Sequence, residues 1–308
     1  MNGASVSIRD LKKSYGRVQA LDSVSLEINS GEMFALIGPD GAGKTTLMRI
    51  ICSLIDPDEG DVEINGISVK NEPSRVREMI GYMPQRFSLY PDLTVMENIR
   101  FFADIFNVPR VKQRESVSRL LSFSRLDRFV NRKAGELSGG MKQKLALSCV
   151  LIHSPGLLVL DEPTTGVDPV SRREFLEMLD ELRRIGTTII LSTPYMNEAE
   201  MCDRGAFIYR GGILAAGTVG ELNDLFDGTV LEIATSDGAR LAGRIKRVVP
   251  SRYIQVLGDR VKVVVSSGQQ GMRDSLMEEL SHLGIGEDRV REVEPNLEDT
   301  FVYLLSRG

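Results

Sequence analysis

Met33-Phe34-Ala35-Leu36-Ile37-Gly38-Pro39-Asp40-Gly41-Ala42-Gly43-Lys44-Thr45-Thr46 decides how the chain is read. The turn residues Asn29-Ser30-Gly31 precede five consecutive apolar residues, which predicts a short strand buried on both faces. Gly38, four further residues, then Gly43-Lys44-Thr45 match the phosphate-binding loop pattern. The periodicity of 46–54 predicts a helix leaving that loop. Each residue type has a reason to be there. Glycine lets backbone N–H groups approach phosphate oxygens with no Cβ in the way. The helix presents its positive end to the same oxygens. Lys44 offers a mobile ammonium to the β- and γ-phosphates, and the Thr45 hydroxyl is a hard oxygen ligand for Mg²⁺. A glycine-rich turn between strand and helix is the bland alternative, and the strand-loop-helix context argues against it.

Two further stretches extend this reading. Leu157-Leu158-Val159-Leu160 predicts another buried strand, closed by Asp161 and Glu162. Asp161 would stand near the metal through a water, and Glu162 would orient or deprotonate an attacking water. Two acids ending a strand could also simply begin a surface loop. Leu137-Ser138-Gly139-Gly140-Met141 precedes a helix over 142–151 and forms a second candidate anion cradle. Ser138 alone could be an ordinary helix cap. One nucleotide does not need two cradles in one subunit, so the second is expected to grip the γ-phosphate of a nucleotide held by another subunit.

Elsewhere the pattern gives strands near 6–8 and 23–28, and a hairpin about Asn65-Gly66. It continues with a mostly helical stretch over 93–147, a helix over 169–184 opened by Pro169, and strands over 187–191 and 205–209. Buried strands alternating with helices imply a largely parallel sheet covered on both faces. After about 217–228 the order becomes strand 229–235, helix 239–247, strands 252–256 and 260–265, helix 272–283, strand 289–293 and a last helix 297–305. This is the split β-α-β-β-α-β arrangement, with no Cys, His or carboxylate cluster to suggest chemistry. The expected domains are 1–225, with a helical subdomain over about 86–155, and 226–308.

The formal charge of −5 and the short, interleaved basic clusters exclude the basic stripe of a nucleic-acid binder. Cys52, Cys149 and Cys202 are far apart in apolar or helical contexts, which points to reduced, buried thiols. Residues 1–9 do not resemble a signal peptide, and no apolar run is long enough to cross a bilayer. A cytoplasmic location is expected, with any membrane role arising through a partner.

Taken in order, these motifs resemble the ABC ATPase family over about 6–217. Gly38, Pro39, Asp40, Gly41, Ala42, Gly43, Lys44, Thr45 and Thr46 resemble Walker A, Ser138, Gly139 and Gly140 the signature, and Leu157 to Glu162 Walker B. Tyr15 matches the aromatic that stacks on adenine, Gln85 the Q-loop glutamine, and Asp168 the D-loop aspartate. The resemblance implies an α/β fold, a mixed sheet with a helical subdomain, followed here by a small α+β C-terminal domain. It implies ATP and Mg²⁺ as ligands, with Thr45, Gln85 and Asp161 around the metal and Glu162 and Gln85 in catalysis. It also implies a head-to-tail dimer that sandwiches two ATP molecules, and a separate transmembrane permease docking near 86–129 at the inner face of the membrane. The tail Glu294 to Phe301 resembles drug-exporter ATPases of the daunorubicin-resistance type.

Two departures qualify this. Where the family has a histidine after the strand beyond Walker B, this chain has Pro194, which offers neither side-chain donor nor backbone N–H. Asp40 replaces the more usual asparagine. The chain therefore either hydrolyses ATP itself, or serves as the slow, ATP-holding half of an unequal pair, as in the first half of tandem drug-exporter ATPases. An ATP-sensing regulatory subunit and a soluble ABC ATPase acting on nucleic acid are further alternatives. The intact Glu162 weighs against the first, and the lack of a basic arm or zinc-binding insertion against the second.

Overall fold

The computed structural model describes residues 3–86 and 88–307, which divide into two compact units with the boundary between Ala216 and Gly217. In the first unit the strand Met33–Ile37 is buried at every position. It pairs in parallel with Thr188–Thr193 on one side and Arg204–Tyr209 on the other. Leu157–Asp161 and then Ile80–Met83 extend the sheet, again in parallel. The far edge is Gly212–Thr218, joined to Arg204–Tyr209 through Arg210 and Gly211, both at positive φ. Two successive positive-φ residues give a turn whose twist suits a hairpin.

Parallel register places the carboxyl ends of these strands along one edge. Ile37 lies opposite Thr193, Asp161 opposite Ser192 and Met83 opposite Leu160. The segments leaving those ends are the glycine loop, the Asp161-Glu162 pair, Pro194 and Gln85, so residues 38, 85, 162 and 194 gather where open α/β sheets bind ligands.

A separate four-stranded antiparallel sheet runs in the order Val18–Ile28, Val6–Tyr15, Glu59–Ile64, Ile67–Ser68. Its inward residues Val6, Ile8, Leu11, Val24, Val62 and Ile64 share one core with Leu47, Met48, Ile50 and Ile51 of the helix Lys44–Ile51. On the other side that core reaches Phe34, Val159 and Ile190 of the parallel sheet. The helix is thus wedged between two sheets, and its first turn is held at the strand edge. Asn65 and Gly66 turn the predicted hairpin with φ of 51° and 74°.

The stretch expected to be mostly helical contains three α-helices, Val95–Ile105, Arg110–Ser124 and Gly139–Leu151, with short 3-10 turns between the last two. Asn107 and Arg125 in left-handed conformations and Pro109 at the second N-cap supply the breaks. Thr94 and Glu97 form a capping box on the first helix. Fully buried Asn98 donates to the carbonyls of Tyr90, Leu93 and Thr94 at 3.0–3.1 Å and accepts from the Tyr90 N–H at 2.9 Å. One amide side chain therefore pins the loop that follows Gln85 to the helical region.

Phe106 stacks on His153, with centroids 4.0 Å apart, and His153 Nε2 lies 3.1 Å from the Ile80 carbonyl. Burial pushes the His153 pKa below its ordinary value, against a smaller upward effect of that carbonyl. The folded state then binds fewer protons than the unfolded chain in the acid part of the histidine range, so stability is lost as pH falls below about 6.5. Denaturation midpoints at pH 7.5 and 5.5 should separate more for the wild type than for His153→Gln; equal separations would remove His153 as the cause.

The second unit is a four-stranded antiparallel sheet in the order Ile254–Leu257, Arg260–Ser266, Gly228–Ala234, Val290–Val293. The helices Gly238–Ile245, Gln270–His282 and Leu297–Arg307 accompany it. Leu231, Ile233, Val261, Val263, Leu276 and Tyr303 form its core. Lys262 and Asp299 make a buried ion pair at 2.8 Å. Among the described residues, no helix in either unit is long and apolar enough to cross a membrane, and no cluster of three or more His, Cys, Asp or Glu could hold a metal alone.

Candidate functional site

The glycine loop is built from close approaches. A Cβ on Gly38 would lie 2.3 Å from the Ile208 carbonyl oxygen, so only glycine lets the loop pass against the neighbouring strand. Gly43 has φ +109° and would bring a Cβ to 2.5 Å from the Ala20 oxygen. Gly41, at φ +77°, faces open space. The helix that follows has Gly43 as N-cap, without a side-chain cap or an acidic residue in its first turn. No residue of the helix itself therefore competes with an anion for its leading N–H groups and positive end.

Lys44 is 4% exposed and arches over the loop, donating to the Gly38 carbonyl at 2.8 Å and the Pro39 carbonyl at 3.1 Å. The same ammonium lies 3.1 Å from Glu162 Oε1. Gln85 Nε2 donates to Glu162 Oε2 at 2.9 Å. Three residues far apart in sequence thus meet at one carboxylate, as their strand ends require.

Glu162 has φ 47°, a left-handed conformation unusual for this residue. Its N–H is shared between the Ser192 carbonyl at 3.2 Å and the Ser192 hydroxyl at 3.0 Å, which holds the turn. Ser192 Oγ in turn donates to Asp161 Oδ1 at 2.7 Å. Asp161 is 1% exposed, and its other oxygen, Oδ2, has no hydrogen-bond partner among the described residues. A buried carboxylate oxygen without a proton donor is costly unless a cation or ordered water completes it. Thr45 and Thr46, in the first turn of the neighbouring helix, are partly buried.

The second cradle is capped by Ser138, whose hydroxyl accepts from the Met141 N–H at 3.4 Å. Gly140 packs so closely on the helix Pro169–Arg184 that a Cβ would sit 2.3 Å from the Ser171 Cβ. Asp168 caps that helix, accepting from the Ser171 N–H at 3.0 Å, and this bond pulls its carboxyl below the usual range. Pro39 and Asp40 are exposed on the loop, beside buried Ala42. Tyr15 is 49% exposed at the end of its strand, with the Lys13 ammonium 5.8 Å above the ring. Neither Tyr15 nor the Ser138 to Gly140 cradle makes a described hydrogen bond to the Lys44, Gln85 and Glu162 cluster.

Ser192 and Asn98 were not singled out by sequence reasoning. The available signal was a polar residue at a position of otherwise apolar periodicity, which needs a partner if buried; the partner's identity is long-range and invisible locally.

Comparison with known proteins gives concordant results. The profile of the family described as ABC transporter matches residues 21–165. The chain is 36% identical over 310 residues to a probable multidrug ABC transporter ATP-binding protein, YbhF, of Escherichia coli (strain K12); the match covers 99% of this chain and 53% of that protein, so the chain spans about half its length. It is 37% identical over 304 residues to the Nod factor export ATP-binding protein I of Rhizobium etli, covering 98% of this chain and 93% of that protein. Among solved structures it resembles a dimeric post-hydrolysis state of the ATP-binding cassette MJ0796 bound to ADP and Pi. That likeness has 30% identity and a TM-score of 0.63, and covers 69% of this chain and 98% of that one.

Proposed function

Because this chain belongs to the ABC transporter ATP-binding family, we propose that it binds and hydrolyses ATP as the motor subunit of a membrane exporter. The observation that carries the reading is the meeting of Lys44, Gln85 and Glu162 at the mouth of the glycine loop. Walker A residues Gly38 to Thr46 cradle the phosphates, with Lys44 exchanging its loop carbonyls and Glu162 for β- and γ-phosphate oxygens. Glu162 is then free to accept a proton from the attacking water, which Gln85 helps to orient. Thr45, Gln85 and Asp161 are oxygen donors suited to Mg²⁺, and the unpartnered Asp161 Oδ2 supports that fit. Phosphate oxygens and water would complete the shell, as is usual for Mg²⁺. When bound, Mg²⁺ supplies charge neutralisation at the phosphates.

Tyr15 is the adenine platform, and its half-exposed ring is available for stacking. Ser138, Gly139 and Gly140, with Asp168, close on the nucleotide of a second ATPase subunit. A separate transmembrane permease completes the machine at the cytoplasmic face of the membrane; no nucleic-acid partner is proposed. Export as the direction of transport is supported by the relatives named for multidrug transport and Nod factor export.

Pro194 favours a second reading, in which this chain is the slower half of an unequal pair. A missing preorganised donor costs roughly 10²–10³ in rate. Pro194→His should therefore accelerate phosphate release by the purified chain at least about tenfold; full wild-type activity with no gain from the change would remove the asymmetry.

A further inference from the structure

Glu198 is completely inaccessible, and none of the roles proposed above uses it. It lies on the short helix Met196–Ala199, just past Pro194. One carboxylate oxygen accepts from the Thr164 hydroxyl, and the other accepts from the Thr193 hydroxyl at 2.7 Å. Arg172 Nε stands 3.5 Å from Oε1, while its guanidinium lies over the Tyr195 ring at 4.4 Å from the centroid. Thr193 Oγ1 also accepts from the Tyr195 N–H at 2.9 Å. Pro194 is therefore flanked by two residues that this network holds.

Thr164 follows Glu162 by two residues, and Thr193 ends the strand whose Ser192 holds the Glu162 N–H. A buried carboxylate is expensive unless its lone pairs are filled, and charge-assisted bonds to hydroxyls are the strong kind. This one spends both oxygens joining two segments 29 positions apart, and complete burial keeps both from any ligand. On the reading of the site given above, we infer that Glu198 is a positioning residue. It ties the loop carrying Glu162 to the end of the adjacent strand, and through Arg172 to the helix that packs on Gly140. It thereby fixes where the Glu162 carboxylate stands relative to the phosphates.

The test uses the full chain carrying Glu198→Gln, which keeps the volume but turns one acceptor into a donor. Thr193→Val is a second variant that deletes one of the two hydroxyls. Hydrogen exchange reads the loop directly, because the Thr165 and Val167 amides are bonded to the Glu162 and Thr164 carbonyls. Exchange over 162–168 should rise about tenfold in both variants while 38–45 is unchanged, and kcat for ATP should fall about tenfold with KM held within threefold. Unchanged exchange over 162–168, or a rise spread evenly over the chain, overturns the inference; the second result marks Glu198 as merely structural. If the wild type shows no ATP turnover, the proposed function fails while the exchange measurement still decides the role of Glu198.

Discussion

Glu162→Gln is expected to lower ATP turnover by roughly 10²–10⁴ while leaving ATP bound, because it removes the proposed proton acceptor and little else. The change is isosteric. The amide oxygen can still accept from Gln85 Nε2, which now lies 2.9 Å from the carboxylate. The backbone N–H remains on Ser192, so the left-handed turn persists. What is lost is the charge facing Lys44 at 3.1 Å, which frees that ammonium for phosphate. Phosphate release should therefore collapse while a fluorescent ATP analogue binds as well as or better than before. Size-exclusion chromatography in millimolar ATP should shift towards a stable dimer. Full turnover in the variant would show that another group takes the proton.

Gly43→Ala is expected to abolish nucleotide binding, with affinity reduced at least about 100-fold, and to cost about 3 kcal/mol of stability. Two effects act together. The backbone at φ +109° excludes side chains, and the added methyl would meet the Ala20 oxygen at 2.5 Å and Leu21 Cδ2 at 3.0 Å. The first contact is with backbone of the antiparallel sheet, which cannot swing aside like a side-chain tip. For a domain of this size the loss should appear as a fall of roughly 6–12 °C in melting temperature. Gly41→Ala is the control: its φ is +77°, but nothing lies within 4 Å of the new methyl, so only about 1 kcal/mol of strain is expected. Equal melting temperatures for the two variants would refute the steric account.

Much of this was legible locally. The strand Met33–Ile37, its glycine loop and the helix opened by Pro169 follow from apolar runs, turn residues and proline geometry within a few positions. So did Lys44 and Glu162 as separate candidates, whereas Gln85 came only from the family resemblance. Their meeting was not legible, since it depends on the register that sets Asp161 beside Ser192 and Met83 beside Leu160. The buried partners were hidden for the same reason. Asn98 and Glu198 look like surface residues of amphipathic helices until the chain folds back over them. The helical stretch over 93–147 was seen, but its breaks at Asn107 and Arg125 rest on left-handed backbone in residues that do not announce it as glycine does.

The common edge reached by the parallel strands also imposes a spacing rule on inherited change. Loops at the opposite edge can gain or lose residues without disturbing the site. A single-residue deletion inside Leu157–Asp161 cannot be absorbed in that way. Side chains alternate between faces, so shifting the strand by one rung would turn the position now filled by Asp161 over to Glu162 and send the acid beside Lys44 out of reach. Length variation among relatives of this chain should therefore collect away from the carboxyl ends of the five parallel strands.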